Sequence, residues 1–232
     1  SYGKEPVLKN VSFSVKRGET LALVGASGSG KTTAASLMAR FWDVNEGRIL
    51  FRGTDIRSIP LGSLMKQLSM VFQRVYLFED TIYNNIVMGN QKADKEAVYE
   101  AAKKARCYDF IMKLPYGFDT WVGTGGATLS GGEAQRISIA RCILKDAPVI
   151  ILDEATASID ADNESYIQAA LSELCRGKTT VVIAHRLNTI RQADKILVLD
   201  KGRIIQSGKH EELVKKDGAY KNMILAGGEE NE

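Results

Sequence analysis

Gly25, Gly30, Lys31 and Thr32 occupy the fixed places of a G-x-x-x-x-G-K-[ST] pattern, with Ala26, Ser27, Gly28 and Ser29 between them and Thr33 after. Glycines at these places let backbone N–H groups close around a polyphosphate without Cβ clashes. Lys31 has the reach for the β- and γ-phosphates, and the Thr32 hydroxyl is a Mg²⁺ ligand type. The pattern carries this chemistry only between a strand and a helix. The residues before it, Thr20, Leu21, Ala22, Leu23 and Val24, form a short apolar run of buried-strand type. Those after it, from Ala34 to Arg40, are good helix formers, so a positive dipole end faces the loop. The competing reading is a flexible glycine turn.

A second centre follows the run Val149, Ile150, Ile151, Leu152, which ends on Asp153 and Glu154. A buried strand that emits two carboxylates places them where α/β sheets bind ligands. Asp153 suits Mg²⁺ held through water, and Glu154 suits polarisation of an attacking water. The alternative is a strand ending in a polar turn. A third centre is Ser130, Gly131, Gly132 and Glu133, an S-x-x-E capping box ahead of a helical run. A capped start with two glycines also presents N–H groups and a hydroxyl to an anion. One chain with a phosphate loop and a second anion-binding helix start suggests ATP shared between two molecules.

The elements that must hold these residues are legible as an α/β alternation. Alternating apolar residues from Val7 to Val15 predict a half-buried strand, and Arg48 to Gly53 another. Helical spacing is expected from Leu61 to Leu68, then a strand from Ser69 to Gln73. Between 74 and 129 the character turns helical, with Asp94 capping a helix over 95–104 and a second from Tyr108 to Leu114, stopped by Pro115. A helix over 131–144, the strand Val149 to Leu152, a helix near 163–174 stopped by Gly177, and a β-branched strand over 179–184 follow. Two strands flank Asp200, Lys201 and Gly202 as a hairpin, and the tail from Glu211 to Leu225 is helical.

Composition bounds the function. The 232 residues make one large domain or two small ones, with 44% hydrophobic residues, enough for a sizeable core. A net charge of +3 without a dense Lys/Arg run does not point to a nucleic-acid partner. Cys107, Cys142 and Cys175 lie far apart, which argues for reduced thiols and against a zinc site. No apolar run approaches the roughly 18 residues of a membrane span.

Taken together, these motifs resemble the nucleotide-binding domain of ABC transporters over essentially the whole chain. Residues 25–32 resemble its Walker A loop, 149–153 its Walker B strand with Glu154 as catalytic glutamate, and 129–133 its signature motif, with Glu133 where the family usually has glutamine. The resemblance implies further roles. Gln73 is the Q-loop glutamine, which contacts Mg²⁺ and water and senses the membrane partner. Ser158, Ile159 and Asp160 are the D-loop, His185 is the switch histidine on the γ-phosphate, and Tyr2 is the adenine-stacking aromatic. The segments around Leu77 to Ile86 and Tyr116 to Thr120 are similar to exporters of the multidrug and lipid type, in which the ATPase follows a transmembrane domain. One departure is Thr124, where the exporter pattern has a glutamate that contacts the other subunit's membrane domain.

The implied architecture is a P-loop NTPase of RecA-like parallel core, with an antiparallel β subdomain and an inserted α-helical subdomain. Its expected division is 1–73 for the β subdomain and phosphate-loop core, 74–138 for the helical signature subdomain, and 139–232 for the remaining core. Implied cofactors are ATP and Mg²⁺. Implied partners are a second nucleotide-binding domain and a membrane domain fused N-terminally. The implied place is the cytoplasmic face of a membrane. The rivals are a soluble ATPase of the same family acting on DNA or the ribosome, and the separate ATPase subunit of an importer.

Overall fold

The computed structural model describes residues 6–72, 75–123, 125–153, 161–184 and 187–228. In chain order the elements are β1 (Thr20–Val24), α1 (Lys31–Met38), β2 (Leu50–Phe51), β3 (Thr54–Asp55), α2 (Leu61–Gln67), β4 (Leu68–Val71), β5 (Asp80–Thr81), α3 (Ile82–Val87), α4 (Lys95–Lys104) and α5 (Tyr108–Lys113). They continue as β6 (Trp121–Val122), α6 (Gly131–Lys145), β7 (Val149–Asp153), α7 (Ala161–Cys175), β8 (Thr179–Ile183), α8 (Leu187–Arg191), β9 (Lys195–Asp200), β10 (Arg203–Gly208), α9 (His210–Leu213) and α10 (Ala219–Gly228). The largest sheet has the strand order β10-β9-β1-β8-β7-β4. Two compact units divide the described residues: 6–68, 151–153 and 178–228 in one, 69–150 and 161–177 in the other.

In the first unit β1 pairs in parallel with β8, Leu21 opposite Val181 and Leu23 opposite Ile183, and in parallel with β9, Leu21 opposite Lys195 and Val24 opposite Val198. A parallel strand covered on both faces reads as an unbroken apolar run rather than an alternation. Leu21 to Val24, Val181 to Ile183 and Ile196 to Leu199 are accordingly all buried. The outermost strand, β10, is antiparallel to β9, alternates exposed with half-buried residues, and carries a register shift between Ile204 and Gln206. The helix α1 ends where Arg40 takes a left-handed φ of 54°. Its guanidinium donates to the carbonyls of Ile56 (2.8 Å), Ile59 (2.7 Å) and Arg57 (3.1 Å), which pins the turn after β3 to the end of α1. Further on, Tyr220 of α10 is fully buried, its hydroxyl 2.7 Å from His210 Nδ1 and its N–H on Gln206 Oε1.

The second unit is helical. The helices α3, α4 and α6 each begin on a side chain that accepts from the third residue: Thr81, Asp94 and Ser130. Their inward faces supply a core of Ile82, Ile86, Val98, Ala101, Ile137, Ile139 and Ala140, joined by Ile111 of α5 and Ile167 of α7. Gly89 lets the end of α3 approach α6 closely, since a Cβ there would stand 2.1 Å from the Arg141 carbonyl oxygen. A short antiparallel pair, Asp80 opposite Val122 and Thr81 opposite Trp121, closes the unit's loops.

Two expectations change. Residues 7–15 form no strand; Val11, Phe13 and Val15 are half-buried while Ser12 and Ser14 are exposed. The period-2 pattern reports which side chains face the protein, not whether a ladder partner exists. The helical tail is two helices, interrupted at 214–218, where Gly218 adopts a φ of 153° that no other residue takes easily. Residues 82–87 and 187–191, for which no helix was expected, are helical.

Candidate functional site

The phosphate loop runs from the end of β1 to the start of α1, in the first unit. Gly25, Gly28 and Gly30 have φ of 143°, 76° and 106°. At Gly25 a Cβ would lie 2.1 Å from the Leu199 carbonyl oxygen of β9, so only glycine lets the loop pass that strand. Gly28 has open space around it, which leaves φ as its requirement. Ala26, Ser27 and Gly28 are exposed and form the rim, while Ser29 and Gly30 are buried. Gly30 is the N-cap of α1 and offers no side chain to the first N–H groups of the helix. Such groups lack intrahelical partners and form a ready anion site.

Lys31 is 5% exposed, and its Nζ donates to the carbonyls of Gly25 (2.7 Å) and Ala26 (3.0 Å). The ammonium is thereby folded onto its own loop, at the concave side a polyphosphate would share. The buried Ser29 Oγ has no hydrogen-bond partner among the described residues, a further sign of a polar cradle. Thr32 is the second residue of α1, with its side chain exposed, and Thr33 follows half-buried. Asp153 ends β7, half-buried, in the same unit; only β8 separates β7 from β1 in the strand order. Hydroxyl and carboxylate are the hard oxygen donors that Mg²⁺ takes, alongside water and phosphate oxygens.

Ser130, Gly131, Gly132 and Glu133 belong to the second unit, at the start of α6. Ser130 Oγ accepts from the Glu133 N–H (3.2 Å), and the Ser130 N–H donates to Glu133 Oε2 (2.8 Å). Both halves of the expected capping box are present. Gly131 is exposed with open space about it. The glutamate at 133 therefore does the work of the cap while adding a negative charge to the helix start. Of the other expected site residues, Tyr2, Gln73, Glu154, Ser158, Ile159, Asp160 and His185 lie outside the described residues, as does Thr124.

Two polar nodes went unread. In the second unit the fully buried Asn85 of α3 accepts at Oδ1 from the Phe78 N–H (2.8 Å) and donates from Nδ2 to the carbonyls of Phe78 (2.9 Å) and Thr81 (3.1 Å). Arg141 of α6 donates to Asn85 O (2.7 Å) and Asn85 Oδ1 (2.8 Å), and lies over the Phe78 ring. Arg136, two turns into α6 from its cap and 5% exposed, sits between the rings of Phe110 (5.1 Å) and Tyr166 (5.3 Å). It ties α6 to α5 and α7. The available signal was a pair of arginines, Arg136 and Arg141, in a helix whose buried positions are mostly apolar, Gln135 apart.

Comparison with known proteins meets this geometry from outside. Residues 8–157 match the model of the ABC transporter family. The chain is 51% identical over 220 residues to an ATP-dependent lipid A-core flippase of Syntrophus aciditrophicus (strain SB), covering 95% of this chain and 37% of that protein. It is 52% identical over 214 residues to the protein of the same name from Legionella pneumophila (strain Paris), covering 92% and 36%. The chain thus spans well under half the length of these relatives. A solved bacterial Atm1-family ABC exporter with ATP bound superposes with a TM-score of 0.88 at 45% identity, over 95% of this chain and 38% of that one. The phosphate loop, the capped glycine helix start and the acidic strand end all fall within residues 8–157, and this chain belongs to the ABC transporter family.

Proposed function

We propose that the chain is the nucleotide-binding domain of an exporter, binding ATP with Mg²⁺ and hydrolysing it to drive transport across a membrane. The observation that carries the reading is the loop itself: three glycines at positive φ, an α1 start without a side-chain cap, and Lys31 turned onto the loop carbonyls. In this proposal the N–H groups of residues 26–33 and Lys31 hold the phosphates, and Thr32, Gln73 and Asp153 hold Mg²⁺. Held there, the ion would supply positive charge to offset that of the phosphates. Glu154 polarises the attacking water, His185 contacts the γ-phosphate and Tyr2 stacks on adenine. Ser130, Gly131, Gly132 and Glu133 close on the ATP of a second, head-to-tail domain, excluding water from the cleft. The functional division follows 1–73, 74–138 and 139–232.

A membrane domain joined N-terminally would follow the closing and opening of the pair, on the cytoplasmic face. By analogy with the relatives named lipid A-core flippases, we propose an amphipathic lipid as the transported substrate, contacted by parts outside this chain. No helix among the described residues is long and apolar enough to cross a membrane.

The test is Glu154→Gln. It should keep ATP binding, lower turnover by about 10²-fold or more, as loss of a general base does, and accumulate a closed pair in ATP. Wild-type turnover in that variant would remove Glu154 from its role. Nucleic-acid-stimulated hydrolysis would instead favour a soluble ATPase.

A further inference from the structure

We propose that Gly202, in the turn between β9 and β10, is a positioning residue for the phosphate loop. The inference rests on the nucleotide-binding reading above. Lys201 and Gly202 form a two-residue hairpin with φ of 45° and 77°, the double positive φ that a type I′ turn needs. A turn of that kind asks only for a small or flexible residue. The surroundings of Gly202 ask for more. It is buried, whereas its neighbours Lys201 and Arg203 are exposed.

Its backbone works in two directions. The Gly202 N–H donates to the Ser29 carbonyl (3.0 Å), and the Gly202 carbonyl accepts from the Lys9 N–H (2.8 Å). A Cβ at 202 would fall 1.9 Å from the Val7 carbonyl oxygen and 2.9 Å from its carbon, so the turn is in direct contact with residues 7–8. Those residues in turn press on the loop: a Cβ at Gly30 would meet Leu8 Cδ2 at 2.7 Å and Gly202 Cα at 3.8 Å. Hairpin tip, residues 7–9 and residues 29–30 thus meet backbone to backbone.

The consequence follows from peptide geometry. The Ser29 carbonyl and the Gly30 N–H belong to one planar trans unit, so they point in opposite directions. Holding the Ser29 oxygen on the Gly202 N–H aims the Gly30 N–H away from the hairpin, and that N–H is one of those the proposed function assigns to the phosphates. A peptide next to the permissive φ of Gly30 is set before the anion arrives, and preorganised donors bind more tightly than mobile ones. Gly202 touches no phosphate; it acts through the 29–30 peptide.

The experiment compares Gly202→Ala with Gly18→Ala in the full chain. Gly18 has nearly the same φ, 78°, but nothing within 4 Å of where its Cβ would stand, so it reproduces the backbone strain without the contact. With MgATP as probe, Gly202→Ala should raise both Kd and KM by about tenfold, the effect of one hydrogen bond to a charged group. Its kcat should stay within about twofold of wild type, because no group that acts on the reacting bond is touched. Gly18→Ala should lower the melting temperature without changing Kd. Amide hydrogen exchange in the wild-type chain serves if Gly202→Ala does not fold: the Gly202 N–H, bonded to the Ser29 carbonyl, should be protected before nucleotide is added. Unchanged Kd in Gly202→Ala, or, where that variant does not fold, a Gly202 N–H that exchanges at the unprotected rate without nucleotide, overturns the proposal. Failure of the wild-type chain to bind MgATP at all would instead overturn the nucleotide reading beneath it.

Discussion

Asn85 shows what a single buried side chain can hold. Its amide satisfies both backbone groups of Phe78, and its own carbonyl and Oδ1 receive Arg141. Asn85→Leu would leave the Phe78 N–H and carbonyl without those partners and take the Oδ1 acceptor from Arg141, which keeps the main-chain carbonyl of residue 85. Each orphaned buried group costs about 1–3 kcal/mol, so the variant should lose at least about 2 kcal/mol in urea unfolding. A loss under 0.5 kcal/mol, about the level of an ordinary surface change, would show that water replaces the amide. The cysteines give a second prediction. Burial pushes the Cys107 thiol up from 9.0 to about 12, the charge of Arg136 opposing weakly. A thiol whose folded value lies above its unfolded one loses its share of stability as pH rises, here between 9 and about 12. Cys107→Ala should flatten that decline in thermal melts. Iodoacetamide should reach half-exposed Cys175 in the native protein but Cys107 only on unfolding. At this scale, the residues with fixed spacing, Gly25, Gly30, Lys31 and Thr32, were readable because backbone chemistry constrains them locally. Asn85 was not, because its arginine partner stands 56 positions away.

Elements were readable where one local cause decides them. The apolar runs at Thr20–Val24 and Thr179–Ile183 are buried parallel strands, and Asp94 and Ser130 cap the helices expected to follow them. Residues 7–15 misled because their alternation serves packing alone. The helix Ile82–Val87 went unread because six residues give less than two turns of periodicity, and its cap Thr81 follows another polar residue, Asp80. The capping box at α6 yields a prediction that separates fold from function. Ser130→Ala removes an N-cap and should cost about 1 kcal/mol of stability. Glu133→Gln keeps an acceptor for the Ser130 N–H, so stability should change by only a few tenths of a kcal/mol, the share of one charge at a helix start. In the proposed function the same change takes a carboxylate from beside a polyphosphate. Glu133→Gln should therefore lower KM for ATP in a steady-state assay while the melting temperature hardly moves. An unchanged or raised KM would mean that the Glu133 charge does not face the nucleotide.

At the scale of the whole molecule the proposed function turns on whether one chain completes its own cleft. The chain spans 37% of a relative such as the Syntrophus flippase. It carries one phosphate loop and, in a different compact unit, one capped glycine helix start. If two chains share two clefts head-to-tail, each cleft takes the loop of one copy and residues 130–133 of the other. Two consequences follow that a self-sufficient enzyme would not show. ATPase activity per chain should rise with chain concentration and then level, because the active species is the pair. Defects in the two halves should also complement. Lys31→Ala disables a chain's own loop, and Ser130→Arg disables what it lends. Each variant alone has both clefts damaged and should be inactive. Mixed in equal amounts, about half of the pairs are mixed, and in each of these one cleft combines two intact halves, the isologous logic of a two-fold assembly. Activity should then return to about a quarter of wild type at saturating concentration, provided one intact cleft turns over by itself. If the clefts must fire together, the mixture stays inactive although the concentration dependence persists. A rate per chain that is flat from dilute to concentrated protein, together with no recovery on mixing, would mean that a single copy completes its own site.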